Sequence, residues 1–259
     1  MRILSFGGGV DSSAILLKHL TGDVDLNIDQ VVFSDTGAEK SKTYENITKF
    51  QQLCEAQNIP FDIVRNQKES LTEFLTRLGT VPLMPGCSHI CSLKFKGEVI
   101  QKFLKEKYGD RQLTILIGIE ADELYRKQRF TKPKNDTNEY EYPLIDMDMT
   151  RADCEAYLQS HGFDVVKSSC VYCPFMSEEE IKEIRQDKEA WQTIKLVESR
   201  FAEESNRKHQ AWLDAGKPLN KGGNCFAGHW KKDPWANGKR LFVKRINGKQ
   251  LSVAEWEAA

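Results

Sequence analysis

Ser5-Phe6-Gly7-Gly8-Gly9-Val10-Asp11-Ser12-Ser13 joins a short apolar run, Arg2 to Phe6, to a segment carrying Ala14, Leu16, Leu17 and Leu20 at helical spacing. A strand that passes through glycines into a helix leaves unpaired N–H groups and the positive end of the helix dipole at the strand's carboxyl end. Three successive glycines let main-chain amides approach an anion without Cβ obstruction. Ser12 and Ser13 add hydroxyl donors, and Asp11 either caps the helix or holds Mg2+ between phosphate oxygens. The pattern is neither Gly-x-x-x-x-Gly-Lys-Ser/Thr nor Gly-x-Gly-x-x-Gly, which argues against a Walker ATPase and a standard dinucleotide fold. The competing reading is a tight strand-to-helix turn that binds nothing.

Outward from this loop the alternation continues. Gln30–Phe33, Phe61–Val64 and Leu113–Ile119 have strand character, and Asp35-Thr36-Gly37 stops the second of the chain's strands. Thr43–Ala56, Leu71–Leu78 and Phe95–Tyr108 have helical periodicity. Strands separated by helices pair in parallel with both sheet faces covered. The expected fold class is therefore α/β, an open parallel sheet with helices on both faces. Residues 1–149 are expected to form the nucleotide-binding domain and 150–259 a smaller, mostly helical region. In the latter, Thr150 can cap a helix running to His161, and Ser177-Glu178-Glu179-Glu180 opens a helical stretch that continues with interruptions to about Leu213.

With 37 Lys and Arg against 38 Asp and Glu, the chain has no uniformly basic coat for nucleic acid. Charge is uneven, however: residues 207–249 hold eleven Lys and Arg against two Asp, interleaved with Trp212, Phe226, Trp230, Trp235 and Phe242. Such a tail can neutralise phosphates and stack on bases, or it can be a solvated tail docked by its tryptophans. The longest apolar run, Leu113–Ile119, falls far short of the ~20 residues of a membrane span, and the N-terminus has no apolar signal region. The expectation is a cytoplasmic protein with no membrane partner.

Seven cysteines, an odd number, make a disulfide framework a poor explanation. Four fall in two tight pairs, Cys87/Cys91 and Cys170/Cys173, separated by 78 residues. Two thiolates from each pair suit a tetrahedral sulfur site, and spacing does not separate zinc from a [4Fe–4S] cluster. His89, between the first two, is either a replacement ligand or a loop residue near the site. Cys54 and Cys154 lie on apolar helix faces and are expected in the core.

Open α/β sheets bind ligands beyond the carboxyl ends of their strands. Asp35 and Thr36 stand at one such end and can reach a nucleoside or a metal. Gly118-Ile119-Glu120-Ala121-Asp122-Glu123 stands at another, where paired carboxylates can hold a metal or orient a ribose. There Asp122 and Arg126 are the favoured ligands, Arg126 for an anion. Cys225, in a basic neighbourhood, is either a nucleophile of lowered pKa or an incidental thiol.

Together these segments resemble the PP-loop ATP pyrophosphatase superfamily. Gly7-Gly8-Gly9-Val10-Asp11-Ser12 is similar to its Ser-Gly-Gly-x-Asp-Ser loop, with Gly7 where that family has its opening Ser. Asp35-Thr36-Gly37, Cys91-Ser92-Leu93-Lys94, Gly118–Glu123 and Ser169-Cys170-Val171-Tyr172-Cys173-Pro174-Phe175 resemble the phosphoadenosine phosphosulfate (PAPS) reductase-like branch. The resemblance implies an adenine nucleotide alpha hydrolase-like fold with ATP, or PAPS or its monophosphate relative APS, bound by Gly7, Gly8, Gly9, Asp11, Ser12, Ser13, Asp35, Thr36, Gly118, Asp122 and Arg126. It favours iron–sulfur over zinc at Cys87, Cys91, Cys170 and Cys173, and it singles out Lys94 beside the anion. Asp11, Lys94 and Cys225 are the catalytic candidates.

The implied reaction is adenylation of an acceptor with pyrophosphate release, assisted by Mg2+ and followed by sulfur transfer to a nucleic acid or small molecule from a sulfur donor. One alternative is a sulfonucleotide reductase using Cys225 and a thioredoxin-like reductant. Asn224 and Phe226 around Cys225 depart from the Glu-Cys-Gly-x-His segment of such reductases. The other alternative is a non-catalytic nucleotide or nucleic-acid binding module with a structural metal.

Overall fold

The computed structural model describes residues 1–82, 89–132, 136–216 and 240–258. In chain order the elements are β1 (Arg2–Phe6), α1 (Val10–Leu20), β2 (Gln30–Asp35), α2 (Ser41–Ala56), β3 (Phe61–Arg65) and α3 (Leu71–Leu78). A π-helical segment, Cys91–Gly97, then leads without a break into α4 (Glu98–Tyr108). β4 (Thr114–Ile117), α5 (Leu124–Arg129), β5 (Glu139–Glu141), α6 (Pro143–Asp146) and α7 (Arg151–Ser160) follow. The chain closes with α8 (Glu178–Ile184), α9 (Lys188–Asp214), β6 (Arg245–Ile246), β7 (Lys249–Gln250) and α10 (Val253–Ala258).

β1 to β5 form one parallel sheet in the order β3-β2-β1-β4-β5. The fold is thus the expected open α/β sheet, with β5 as an edge strand that its three-residue length kept out of the periodicity. Every residue of β2 is buried, as befits a strand covered on both faces. Alternation along the strands sends Leu4, Phe6, Val31, Phe33 and Leu116 to one face, where they pack with Ile15, Leu16, Phe50, Cys54, Cys154 and Leu158 of α1, α2 and α7. Ile3, Val32 and Ile115 point to the other face and meet Leu104 of α4. The two core cysteines, Cys54 and Cys154, are fully buried as expected.

The contacts divide the chain into two compact units. The first comprises Met1–Asp35, Glu39–Arg65 and Lys96–Ser169, and the second Thr36–Ala38, Asn66–Phe95 and Cys170–Ala259. The expected boundary at 149/150 falls inside the first unit, because α7 packs on the sheet.

The second unit is built on α3, α8, α9 and α10, with Leu71, Leu75, Tyr172, Ile181, Trp191, Ile194, Val197, Phe242 and Trp256 in its core. Its helix starts follow local chemistry. Ser70 with Glu73 and Ser177 with Glu180 form reciprocal capping boxes, as Thr150 and Asp153 do at α7 in the first unit. Among the described residues, no helix is long and apolar enough to cross a membrane.

Two expectations are corrected. Asp35 does not stop β2 but is its last residue, paired in register with Arg65 of β3. The helix expected from Phe95 begins earlier, through the π-helical segment at Cys91.

Candidate functional site

Strand order reverses about β1: the chain leaves it for β2 and β3 on one side and returns to β4 on the other. At such a switch point the loops after the two flanking strands diverge and leave a crevice. Here those loops are residues 7–9 and 118–120, both in the first unit.

The glycine loop is held from behind. Gly8 adopts φ +71, a left-handed conformation, and a side chain there would meet Thr43 at 2.9 Å. Its carbonyl accepts a 2.9 Å hydrogen bond from Asn46 Nδ2, which also reaches Ser13 Oγ at 2.9 Å. Ser12 Oγ accepts from Gly7 N at 3.1 Å, and Ser13 N donates to Gly9 O at 3.0 Å. Carbonyls and hydroxyls are thereby engaged inward, while the N–H groups of Gly8, Gly9, Val10, Asp11 and Ser12 have no acceptor among the described residues. Gly118 backs onto this turn so closely that a Cβ would lie 2.9 Å from Ser12 N.

Asp11 does not cap α1. Gly9 is the N-cap, without a side-chain bond, and Asp11 sits in the first turn, where a carboxylate suits the helix dipole. Its Oδ1 lies 2.5 Å from Arg151 Nη1, at the start of α7. The same Arg151 nitrogen is 3.6 Å from Glu120 Oε2. Glu120 is 7% exposed, and its Oε2 is buried with no hydrogen-bond partner. Burial, then a hydrogen bond with Asp11 and that residue's charge, push the Glu120 carboxyl up to about 7, although Arg151 opposes the shift.

The favoured ligands two and six residues on are placed differently. Asp122 stands exposed in a single 3-10 turn, and Arg126, also exposed, is ion-paired with Glu123. The buried carboxylate at this strand end is Glu120.

Asp35 is buried, with Tyr44 Oη donating to its Oδ1 at 2.8 Å and Arg65 Nη2 2.6 Å from its Oδ2. Burial and this bond raise the Tyr44 hydroxyl well above the usual tyrosine range. Beyond Asp35, Glu39 has a fully buried side chain that pairs with Lys96 at 2.9 Å. Sequence reasoning favoured Lys94 of these two lysines. Lys94 is exposed, in the second unit, with its ammonium 5.5 Å from the centre of the Phe74 ring.

In the second unit Thr36 is buried, its carbonyl accepting from Leu71 N at 3.1 Å, and Ala38 O accepts from Val171 N at 2.8 Å. Cys170 is buried there, and its thiol shares hydrogen bonds with those of Cys173 and Cys91. Those contacts and burial hold the Cys170 thiol well above its usual range. Among the described residues, no group of three or more His, Cys, Asp or Glu is disposed to hold a metal as it stands. His89 stacks on Phe175 at 4.8 Å. Cys87 and Cys225 lie outside the described residues, as does residue range 217–239 of the basic tail.

Asn46, Arg151 and Ser168 were not singled out by the sequence. Arg151 stands 140 positions from Asp11, and no local pattern marks such a pairing.

No protein-family model matches the chain, and no curated protein matches it. Among solved structures it is similar to the U34-tRNA thiolase NcsA from Methanococcus maripaludis with its [4Fe-4S] cluster. The identity is 15%, the TM-score 0.47, and the match covers 95% of this chain and 83% of that one.

Proposed function

We propose that the chain is an ATP-using enzyme of the PP-loop type, which binds the triphosphate at residues 8–13 and transfers adenylate to an acceptor oxygen, releasing pyrophosphate. The observation that carries this reading is the set of five N–H groups, Gly8 to Ser12, without acceptors among the described residues at the switch point of a parallel sheet. Donors fixed in advance cost no reorganisation as charge develops on the leaving pyrophosphate. Asn46 and Ser12 act as positioning residues, since they bond the loop's inward atoms.

Asp11 and Glu120 are the carboxylates that would hold Mg2+, and the buried Glu120 Oε2, which accepts no hydrogen bond among the described residues, fits that task. The cation would supply charge neutralisation for the phosphates. Arg151, against both carboxylates, keeps them in place and limits their mutual repulsion. Gly118 remains a proposed contact to the nucleotide. Asp35 serves by fixing Tyr44 and Arg65, and Glu120 takes the part first given to Asp122.

Cys91, Cys170 and Cys173, with Cys87 as the fourth ligand, are proposed to hold a [4Fe–4S] cluster; the interaction of Cys170 with both Cys173 and Cys91 supports this, although the described residues form no metal-ready group as they stand. Such a cluster would supply a thiophilic centre for sulfur-transfer chemistry. Zinc is the competing occupant.

A polynucleotide is the acceptor class we favour. Between residues 124 and 132 stand Arg126, Lys127, Arg129 and Lys132, with no acidic residue, and Leu124, Tyr125 and Phe130 are 43%, 50% and 40% exposed. Arginines beside exposed rings suit phosphates and unstacked bases. This segment begins four residues after Glu120.

The test is to incubate the purified chain with Mg-ATP labelled at the α-phosphate, with and without RNA, and to follow pyrophosphate release and label transferred to the RNA. RNA-dependent appearance of both supports the reading. A folded chain that does not bind Mg-ATP at millimolar concentration removes it.

A further inference from the structure

The three loop glycines are glycine for different reasons. Gly8 is required by its positive φ. Gly9 has φ −98, open to any residue, but a Cβ there would lie 2.6 Å from Ser168 Oγ and 3.2 Å from Ser168 Cβ. Gly9 is therefore small because a serine from a distant part of the chain occupies its side-chain space. Gly7 is constrained by neither effect. It is not among the residues of positive φ, and a Cβ would find ordinary space, 3.7 Å from Ser12 Oγ and 4.0 Å from Ser168 Oγ.

Ser168 Oγ thus lies against Gly9 of the loop whose amides lack acceptors among the described residues, and it makes no hydrogen bond with any described residue. Two further hydroxyls nearby are unpartnered. Thr43, 1% exposed, packs its methyl against Gly8 while its Oγ1 has no hydrogen-bond partner among the described residues, and the adjoining Ser169 Oγ is likewise buried without one there. A hydroxyl left unbonded beside unpaired amides is the arrangement an anion with several acceptor oxygens would complete.

We infer that Ser168 is a phosphate ligand: its hydroxyl donates to the polyphosphate held by the glycine loop, the donor standing at position 168 while position 7, which has room for one, carries none. The inference rests on the proposed nucleotide site and adds a residue to it. A glycine at position 9 and a serine at position 168 then form one functional pair.

Titration calorimetry with Mg-ATP and with adenosine tests this on the full chain. Ser168→Ala should weaken Mg-ATP binding roughly ten- to hundred-fold, the range of one hydrogen bond to a charged group. Adenosine binding should not change. Gly7→Ser in the Ser168→Ala background should restore much of the lost affinity, because its side chain has open space beside the vacated position. The inference is overturned if Ser168→Ala binds Mg-ATP as the wild type does. It is equally overturned if Mg-ATP and adenosine weaken alike, or if the folded double variant recovers nothing, since each outcome assigns Ser168 to packing. A wild-type chain that binds no Mg-ATP overturns the nucleotide reading itself, which separates the two failures.

Discussion

Arg151 Nη1 lies 2.5 Å from Asp11 Oδ1, joining the first turn of α7 to the first turn of α1. The same guanidinium extends its Nε to Glu155 at 2.9 Å. One cation therefore serves the loop carboxylate, the buried Glu120 and its own helix, and burial works against its charge while the acids raise its pKa.

Removing that cation should leave two acids facing each other. Arg151→Gln is expected to lower stability by about 1–3 kcal/mol at pH 8, and by less at pH 5, where Glu120 carries its proton. Urea unfolding at the two pH values measures the difference. An equal loss at both would show that the guanidinium acts only through packing.

Glu120 sets a pH dependence of its own. Its carboxyl is raised to about 7 in the folded chain from 4.5, so the folded state holds the proton more tightly. The stability this confers is complete below pH 4.5 and is lost as pH rises through about 7. Glu120→Gln, which keeps a donor for Asp11, should be more stable than the wild type by roughly 1–3 kcal/mol at pH 8 and not at pH 4.5. Unfolding curves across that window would expose the opposite sign if the carboxylate were stabilised by Arg151 instead.

The cysteine set makes a compositional prediction. Chain reconstituted anaerobically with iron and sulfide should retain both, and Cys170→Ala should lose both, whereas Cys154→Ala, in the first unit's core, should not. Elemental analysis and labile-sulfide determination give the answer. Retention of zinc alone would assign the site to zinc.

Charge reversal on α5 should separate acceptor from nucleotide. Lys127→Glu with Arg129→Glu is expected to weaken single-stranded RNA binding at least ten-fold and to flatten its salt dependence by roughly 0.7 in logarithmic slope per lost phosphate contact. Mg-ATP affinity should be unchanged. Fluorescence anisotropy at several salt concentrations reads both effects, and an unaltered RNA affinity would remove α5 as the docking surface.

The sheet was legible because its determinants are local. Arg2–Phe6 and Gln30–Phe33 are apolar runs, and the serines and threonine at positions 70, 150 and 177 mark helix starts through capping boxes. The glycine loop was legible for the same reason. What escaped was tertiary. Asn46 bonds Gly8 across 38 positions, and Arg151 meets Asp11 across 140, without any signature in their own neighbourhoods. The choice among Glu120, Asp122 and Glu123 depended on which carboxylate the turn buries, and periodicity does not register a three-residue 3-10 turn. The pairing of Lys96 with the buried Glu39 was likewise tertiary and left no mark in the sequence.

The most direct measurement is calorimetric titration of the folded chain with Mg-ATP, repeated in the presence of pyrophosphate. Saturable binding at one site, displaced by pyrophosphate and far weaker for adenosine, is the result expected if residues 8–12 grip the phosphates. Binding that pyrophosphate leaves untouched, or no heat at all up to millimolar nucleotide, would contradict it.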